Sequence, residues 1–362
     1  MRIEVFYGPT KNFDDYLSKN CILANDYYTL LSLALDVEKN RYPANIQYES
    51  SVLIVHSSDY SSVTDNTLQD FVSFIKYADI EEIYLQNPPD IIVKNLQNRY
   101  SQEIIHFKYF EYKSIDLEVI NKFKTEASEK IWGQAEALEL FSNFLYINNK
   151  LNLEQKPIVI MLYGPSGVGK TETCKLLASL LGEEIYYHQF SMFQSGHYAD
   201  FLYGGKIQEN SLAKELLERK SNIILFDEFD KCAPIMYSAL YELFDTGVFK
   251  DKNYTVNLKN TMIVCTSNYK NQDEIFKALG APIFFRINGF IEYKKLSVET
   301  EEKLIDKYFS KYLDILDNDE KILIRDSNIK EYFIANANRL SNVRQTENFI
   351  RNRIASIINE KK

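Results

Sequence analysis

The sequence predicts an α/β fold: a parallel sheet flanked by helices, with a helical region after it and a smaller α/β unit before it. Three observations carry this prediction. Gly164-Pro165-Ser166-Gly167-Val168-Gly169-Lys170-Thr171 stands between an apolar run, Ile158 to Tyr163, and a helical pattern, Glu172 to Leu181. A second apolar run, Asn222 to Phe226, ends in Asp227-Glu228. Residues 296 to 362 are helical in pattern, with little Gly or Pro. Strand, glycine-rich loop, helix is the order a phosphate-binding loop needs. The glycines let backbone N–H groups ring a phosphate chain, and the following helix points its positive dipole end at the same anion. Lys170 reaches toward β- and γ-phosphates, and Thr171 can ligate Mg²⁺.

Composition narrows the class. A chain of 362 residues is long enough for two domains. With 45% hydrophobic and 26% charged residues, it has an ordinary globular balance. No apolar run approaches the length of a membrane span, and Met1-Arg2-Ile3-Glu4 lacks the layout of a signal peptide. The cytoplasm is the expected location. Cys21, Cys174, Cys232 and Cys265 are scattered, with no Cys-x-x-Cys pair, so neither a zinc site nor a disulfide framework is expected. The net charge of −9 argues against a strongly basic nucleic-acid footprint.

Residues 1 to 112 alternate short apolar runs with amphipathic stretches. Strands are expected at Ile3 to Tyr7, Ser51 to His56, Ile83 to Leu85 and Ile104 to Phe110. Helices are expected at Tyr27 to Val37, Leu68 to Tyr77 and Asp90 to Arg99. This alternation suggests a small parallel or mixed sheet. Gly8-Pro9-Thr10 opens like a phosphate loop but lacks the Gly-Lys that completes one, and reads as a turn. His56 ends a strand, where α/β sites often lie, yet a lone histidine there is more often structural. Residues 113 to 131 read as a connecting helix, Ala135 to Tyr146 as another, and Asn148 to Gln155 as a polar loop.

The run ending in Asp227-Glu228 fits a strand buried on both faces. Asp227 stands where a Mg²⁺-associated carboxylate belongs, and Glu228 where a base can orient and deprotonate water. Downstream of a phosphate loop, this pair points to hydrolysis rather than binding alone. A third strand, Thr261 to Thr266, leads to Ser267-Asn268, whose amide can stand between γ-phosphate and water. Arg286 lies among aromatic residues, a setting that often means packing. Ser341 to Glu347 reads as an N-cap opening a final basic helix.

These pieces, in this order over roughly residues 125 to 355, resemble the AAA+ ATPases, and most closely the Clp-type unfoldase branch. Ile131-Trp132-Gly133-Gln134 resembles the box that touches adenine. Gly164 to Glu172 resembles the Clp Walker A, and Asp227-Glu228-Phe229-Asp230-Lys231 the Clp Walker B. Thr266-Ser267-Asn268 resembles sensor 1, Arg286-Ile287-Asn288 the arginine-finger segment, and Val343-Arg344 sensor 2. Tyr203 falls on the tyrosine of the family's aromatic pore loop, which grips substrate polypeptide.

The departures are specific. Phe285 and Asn288 replace the finger's flanking Asn and Asp. Gly204 replaces the pore loop's valine, and the segment before it is short. Sensor 2 has the Asn-Val-Arg wording of initiator AAA+ proteins. No peptidase-docking tripeptide stands out, so a protease partner is unsupported.

The resemblance implies an AAA+ core at 132–292 and a helical lid at 293–362, after an unfamiliar N-terminal domain at 1–112 and a connecting helix at 113–131. It implies ATP and Mg²⁺ as cofactors, GTP being disfavoured because no Asn-Lys-x-Asp element is present. It also implies a ring, expected to be a hexamer, in which Arg286 reaches the neighbour's ATP and Arg344 senses the γ-phosphate. The expected output is remodelling, unfolding or disassembly of protein substrates. Work on nucleic acid, or a partner-triggered defence or signalling switch, is the alternative.

Overall fold

The computed structural model describes residues 1–22, 26–39, 50–78, 80–151, 156–192, 198–340 and 342–360. The N-terminal part runs β1 (Arg2–Tyr7), α1 (Thr10–Lys19), α2 (Leu30–Lys39), β2 (Val52–Val55), α3 (Asp65–Gln69), α4 (Phe71–Tyr77), β3 (Glu82–Gln86), α5 (Asp90–Arg99) and β4 (Ile105–Tyr109). Its four strands pair in parallel in the order β2-β3-β1-β4. Phe6, Ile54 and Tyr84 pack with Phe13 and Leu17 of α1 on one face. Ile3, Val5, Leu53 and Leu85 pack with α2, α3, α4 and α5 on the other.

Two features depart from the expected elements. Helix α1 was not anticipated. Thr10 to Lys19 offers only Phe13 and Leu17 as buried anchors among polar residues. The expected helix at 68–77 is two helices, broken at Asp70.

Then come α6 (Leu117–Lys130) and α7 (Ala135–Lys150). Helix α7 runs into the stretch expected as a polar loop, and residues 152–155 of that loop lie outside the described residues.

The second sheet holds β5 (Ile158–Tyr163), β6 (Tyr186–Gln189), β7 (Ile223–Asp227), β10 (Met262–Ser267) and β11 (Gly289–Glu292), parallel in the order β11-β5-β10-β7-β6. Helices α8 (Lys170–Leu181), α9 (Tyr198–Tyr203), α10 (Leu212–Leu217), α11 (Tyr237–Thr246) and α12 (Gln272–Phe284) join the strands. A hairpin, β8 (Val248–Lys250) and β9 (Thr255–Asn257), stands apart.

The apolar runs are buried because both faces are covered. Val159, Met161, Ile224, Phe226, Ile263 and Cys265 enter one core. Their neighbours Ile160, Leu162, Ile223, Leu225 and Val264 enter the other. At about 1.5–3 kcal/mol for each large side chain buried, these three strands anchor the sheet whose C-terminal ends carry the site.

The chain ends in α13 (Val298–Leu313), α14 (Asn318–Asp326), α15 (Ile329–Ala335) and α16 (Val343–Glu360), which share a separate core around Ile305, Phe309, Phe333 and Ile350. Ser341, the expected N-cap residue, lies outside the described residues. Asn342 Oδ1 accepts from the backbone N–H of Arg344 at 3.0 Å and of Gln345 at 3.3 Å. None of the described helices is long and apolar enough to cross a membrane.

Candidate nucleotide site

The loop from Gly164 to Lys170 turns through left-handed backbone at Gly164 (φ 130°), Gly167 (φ 76°) and Gly169 (φ 108°). Two of these glycines are needed for space as well. A Cβ on Gly164 would stand 2.0 Å from the Tyr293 carbonyl oxygen, and one on Gly167 would stand 2.5 Å from Asn342 Oδ1. Only glycine gives both this path and this close approach. Lys170, the first residue of α8, turns back into the loop. Its ammonium donates to the carbonyl oxygens of Gly164 and Pro165, both at 2.7 Å. Burial lowers its pKa to about 8. A buried cation whose hydrogen-bond partners among the described residues are neutral carbonyl oxygens is suited to an anion in the loop.

Strand β7 delivers the acids opposite. Asp227 Oδ1 lies 3.2 Å from Thr171 Oγ1 and also accepts from the Thr266 hydroxyl. Asp227 Oδ2 accepts from Tyr187 Oη at 2.9 Å. Adjacent Asp and Thr oxygens are the hard donors Mg²⁺ takes from protein, leaving its other positions for phosphate and water.

Glu228 lies in the left-handed region at φ 52°. Its N–H donates to Thr266 Oγ1 at 3.1 Å. Hydrogen bonds from the side chains of Ser191 and Gln189 hold its carboxyl below the usual range, and Gln189 Nε2 lies 3.0 Å from Oε2. Glu228 is therefore a carboxylate at neutral pH, the form a base requires. Asn268 Oδ1 lies 3.4 Å from the Lys170 ammonium.

The fold brings most of the expected residues together. Ser166 to Glu172, Asp227, Glu228, Asn268 and Arg344 line one cavity of about 390 Å³ between the sheet and the C-terminal helices. Gly164 and Pro165 form the start of the loop behind it. Trp132, Leu304, Lys307 and Tyr308 are also part of the lining, with the Lys307 ammonium 4.8 Å from the centre of the Trp132 ring. Ile131 lines the same cavity, but Gln134 faces away from it. The Gln134 amide donates to the Lys294 carbonyl at 2.8 Å and accepts from the Lys294 N–H at 3.0 Å, which pins the chain leaving β11.

Two expected residues lie elsewhere. Arg286 follows α12, a helix kinked at Gly280, and stands outside the cavity. Its Nε donates to Asp245 Oδ2 at 2.8 Å, and the guanidinium covers the Tyr241 ring at 4.9 Å. Neighbouring Phe285 is 76% exposed. Asn288 is a brace: its side-chain oxygen accepts from the Val159 N–H at 2.7 Å. Tyr203 ends α9, also outside the cavity, with its hydroxyl 2.8 Å from Ser238 Oγ and its carbonyl accepting from the Lys252 N–H at 2.9 Å.

Tyr187, Gln189 and Thr266 are partners of the acids that the sequence does not announce. Tyr187 and Gln189 alternate with His188 along β6, one pair facing the acids and the histidine facing the core. That alternation was the available signal, but it covers four residues with no apolar run.

This geometry is that of a P-loop nucleotide module with a helical lid. Residues 155–314 match the family described as AAA domain (Cdc48 subfamily). The chain is 25% identical over 367 residues to Chaperone protein ClpB of Malacoplasma penetrans, covering 90% of this chain and 49% of that protein. It is 28% identical over 218 residues to the ATP-dependent Clp protease ATP-binding subunit ClpL of Staphylococcus aureus, covering 53% and 31%. It is 32% identical over 165 residues to the AAA+ ATPase ClpV1 of Pseudomonas aeruginosa, covering 42% and 18%. A closed-state cryo-EM reconstruction of Hsp104 with ATPγS and FITC casein shares the fold, with a TM-score of 0.54, 16% identity and coverage of 84% of this chain and 60% of that one. The chain thus carries an AAA domain at residues 155–314 and is similar to Clp-type AAA+ ATPases, and it spans about half the length or less of these curated relatives.

Proposed function

We propose that the cavity binds ATP with Mg²⁺ and hydrolyses it, and that the chain assembles into a ring, of hexamer size, that remodels, unfolds or disassembles protein substrates. The observation that carries this reading is the convergence of Lys170, Thr171, Asp227, Glu228, Asn268 and Arg344 on one cavity. In this reading residues 132–292 are the ATPase core, 293–362 the lid, 113–131 the connecting helix and 1–112 a recruiting or regulatory domain.

The loop amides and Lys170 hold the phosphates. Thr171 and Asp227 are the ligands for Mg²⁺, which when bound neutralises charge on the phosphate oxygens. Glu228 takes a proton from the attacking water, and Asn268 helps to hold that water in line. Arg344 contacts the γ-phosphate from the lid, so loss of that phosphate changes how lid and core meet. Arg286 acts on a neighbour's nucleotide, which makes turnover depend on assembly. Tyr203 is the candidate contact with substrate polypeptide. Support for a protein substrate comes from the Clp-type relatives; the net charge of −9 disfavours nucleic acid.

Steady-state ATPase assays with an unfolded model protein, single-stranded DNA or duplex DNA test this, with Glu228→Gln as the blank. Stimulation by the unfolded protein, lost in Tyr203→Ala, is expected. Stimulation by DNA alone would replace this reading with work on nucleic acid.

A further inference from the structure

In the N-terminal sheet, β1 and β3 are neighbours, yet the helix after β1 packs on one face and the helix after β3 on the other. The crevice between their C-terminal ends is thus a topological switch point, the place where open α/β sheets bind ligands. Here a side chain of the ATPase module fills it. Glu218, just after α10, puts its carboxylate between the two strand ends. Oε1 accepts from Gln86 Nε2 at 2.7 Å and Asn87 Nδ2 at 2.8 Å. Oε2 accepts from the Thr10 N–H at 2.9 Å and Thr10 Oγ1 at 3.0 Å.

The donors are built in advance. Gln86 and Asn87 are fully buried. The Asn87 side chain is fixed by the backbone of Gly8, donating to its carbonyl and accepting from its N–H, both at 2.9 Å. Asn87 also takes a left-handed conformation at φ 46°. Gln86 Oε1 accepts from the Ser57 N–H at 3.0 Å. Two donors for each oxygen, none of them a charged side chain, match a carboxylate better than a doubly charged phosphate.

The seat is mechanically connected. Beside it, the Asp90 N–H donates to the Asn253 carbonyl at 2.8 Å, and Thr255 Oγ1 donates to Asp90 Oδ2 at 2.7 Å. Asn253 Nδ2 in turn donates to the Gly205 carbonyl at 3.1 Å, and Lys252 N–H donates to the Tyr203 carbonyl. On the other side, Glu218 leads through Arg219 to Asn222 into β7, the strand that ends at Asp227.

We propose that the crevice between β1 and β3 is a carboxylate-binding site occupied in cis by Glu218, and that this seat clamps the N-terminal domain onto the Tyr203 segment and the β8–β9 hairpin as a brake on the ATPase module. An acidic segment of a partner protein, taking Glu218's place, releases the brake. The brake rests on the reading of the cavity as an ATPase; the seat does not.

The test is amide hydrogen exchange at Thr10 and Asp90 in the full chain, with basal ATPase in parallel. Losing a charge-assisted bond in Glu218→Gln is expected to speed exchange at both amides by about tenfold or more and to raise basal turnover about threefold. Thr10→Ala, which removes one donor, gives a smaller change at Asp90 and serves if Glu218→Gln fails to fold. An oligoglutamate peptide added to the wild-type chain reproduces the effect, and oligolysine does not. Unchanged exchange in Glu218→Gln overturns the seat. Faster exchange with unchanged turnover overturns the brake. No response to oligoglutamate overturns the partner class. If no form hydrolyses ATP, the ATPase reading and the brake fail together, and exchange alone still judges the seat.

Discussion

Glu228 holds a backbone conformation that a non-glycine residue enters at a cost of about 1–2 kcal/mol. The Thr266 and Gln189 contacts offset that cost and fix the carboxylate at the end of β7. Replacing it with glutamine keeps the shape and removes the carboxylate proposed as the base. Glu228→Gln should lower kcat by about 10²–10⁴-fold while leaving nucleotide affinity within a few-fold. Trp132 supplies the binding signal, because it is the single tryptophan of the chain and lines the cavity. Its fluorescence should change with nucleotide in the wild type and in Glu228→Gln, and fail to change in Lys170→Ala. The position of Asp227 and Glu228 in the cavity could be read from their place after an apolar strand. Tyr187 and Gln189 could not, since nothing in a short polar segment says which strand will lie beside β7.

At the scale of elements, β5, β7 and β10 were legible because they are buried on both faces and so keep long apolar runs. Strand β6 is an edge with one wet face, and it left no such trace. Helix α1 was hidden by its polar composition, and the break at Asp70 by an apolar pattern that continues across it. His188 on β6 is a consequence of this packing. It stacks on Phe201 at 5.2 Å and meets Phe190 edge-on at 5.0 Å, and burial lowers its pKa to about 4. Unfolded, it titrates near 6.5. The unfolded state therefore binds more protons between pH 6.5 and 4, and stability falls as pH drops through that window, by about 3 kcal/mol at its lower end. The unfolding midpoint of His188→Phe should fall less steeply with acidification than that of the wild type. Parallel slopes would show that this histidine does not contribute to acid sensitivity.

For the whole molecule, side chains that touch across units carry no sequence signature. The seat of Glu218 between Thr10, Gln86 and Asn87 joins positions far apart in the chain and follows no motif. Arg286 marks another such boundary. It rests on Asp245 and Tyr241 of its own surface, beside exposed Phe285, away from its own cavity. If it serves a neighbour, Arg286→Ala should keep nucleotide binding by Trp132 fluorescence and lose turnover by a factor on the order of 10³. Wild-type turnover in that variant would remove it from the mechanism. The proposed assembly is a ring that holds protein substrate in an ATP-dependent way. Glu228→Gln, with ATP and a fluorescently labelled unfolded protein, should co-elute with the label at the mass of a ring and release it when ADP replaces ATP. Retention at the mass of a single chain, or retention indifferent to nucleotide, would rule out such a ring.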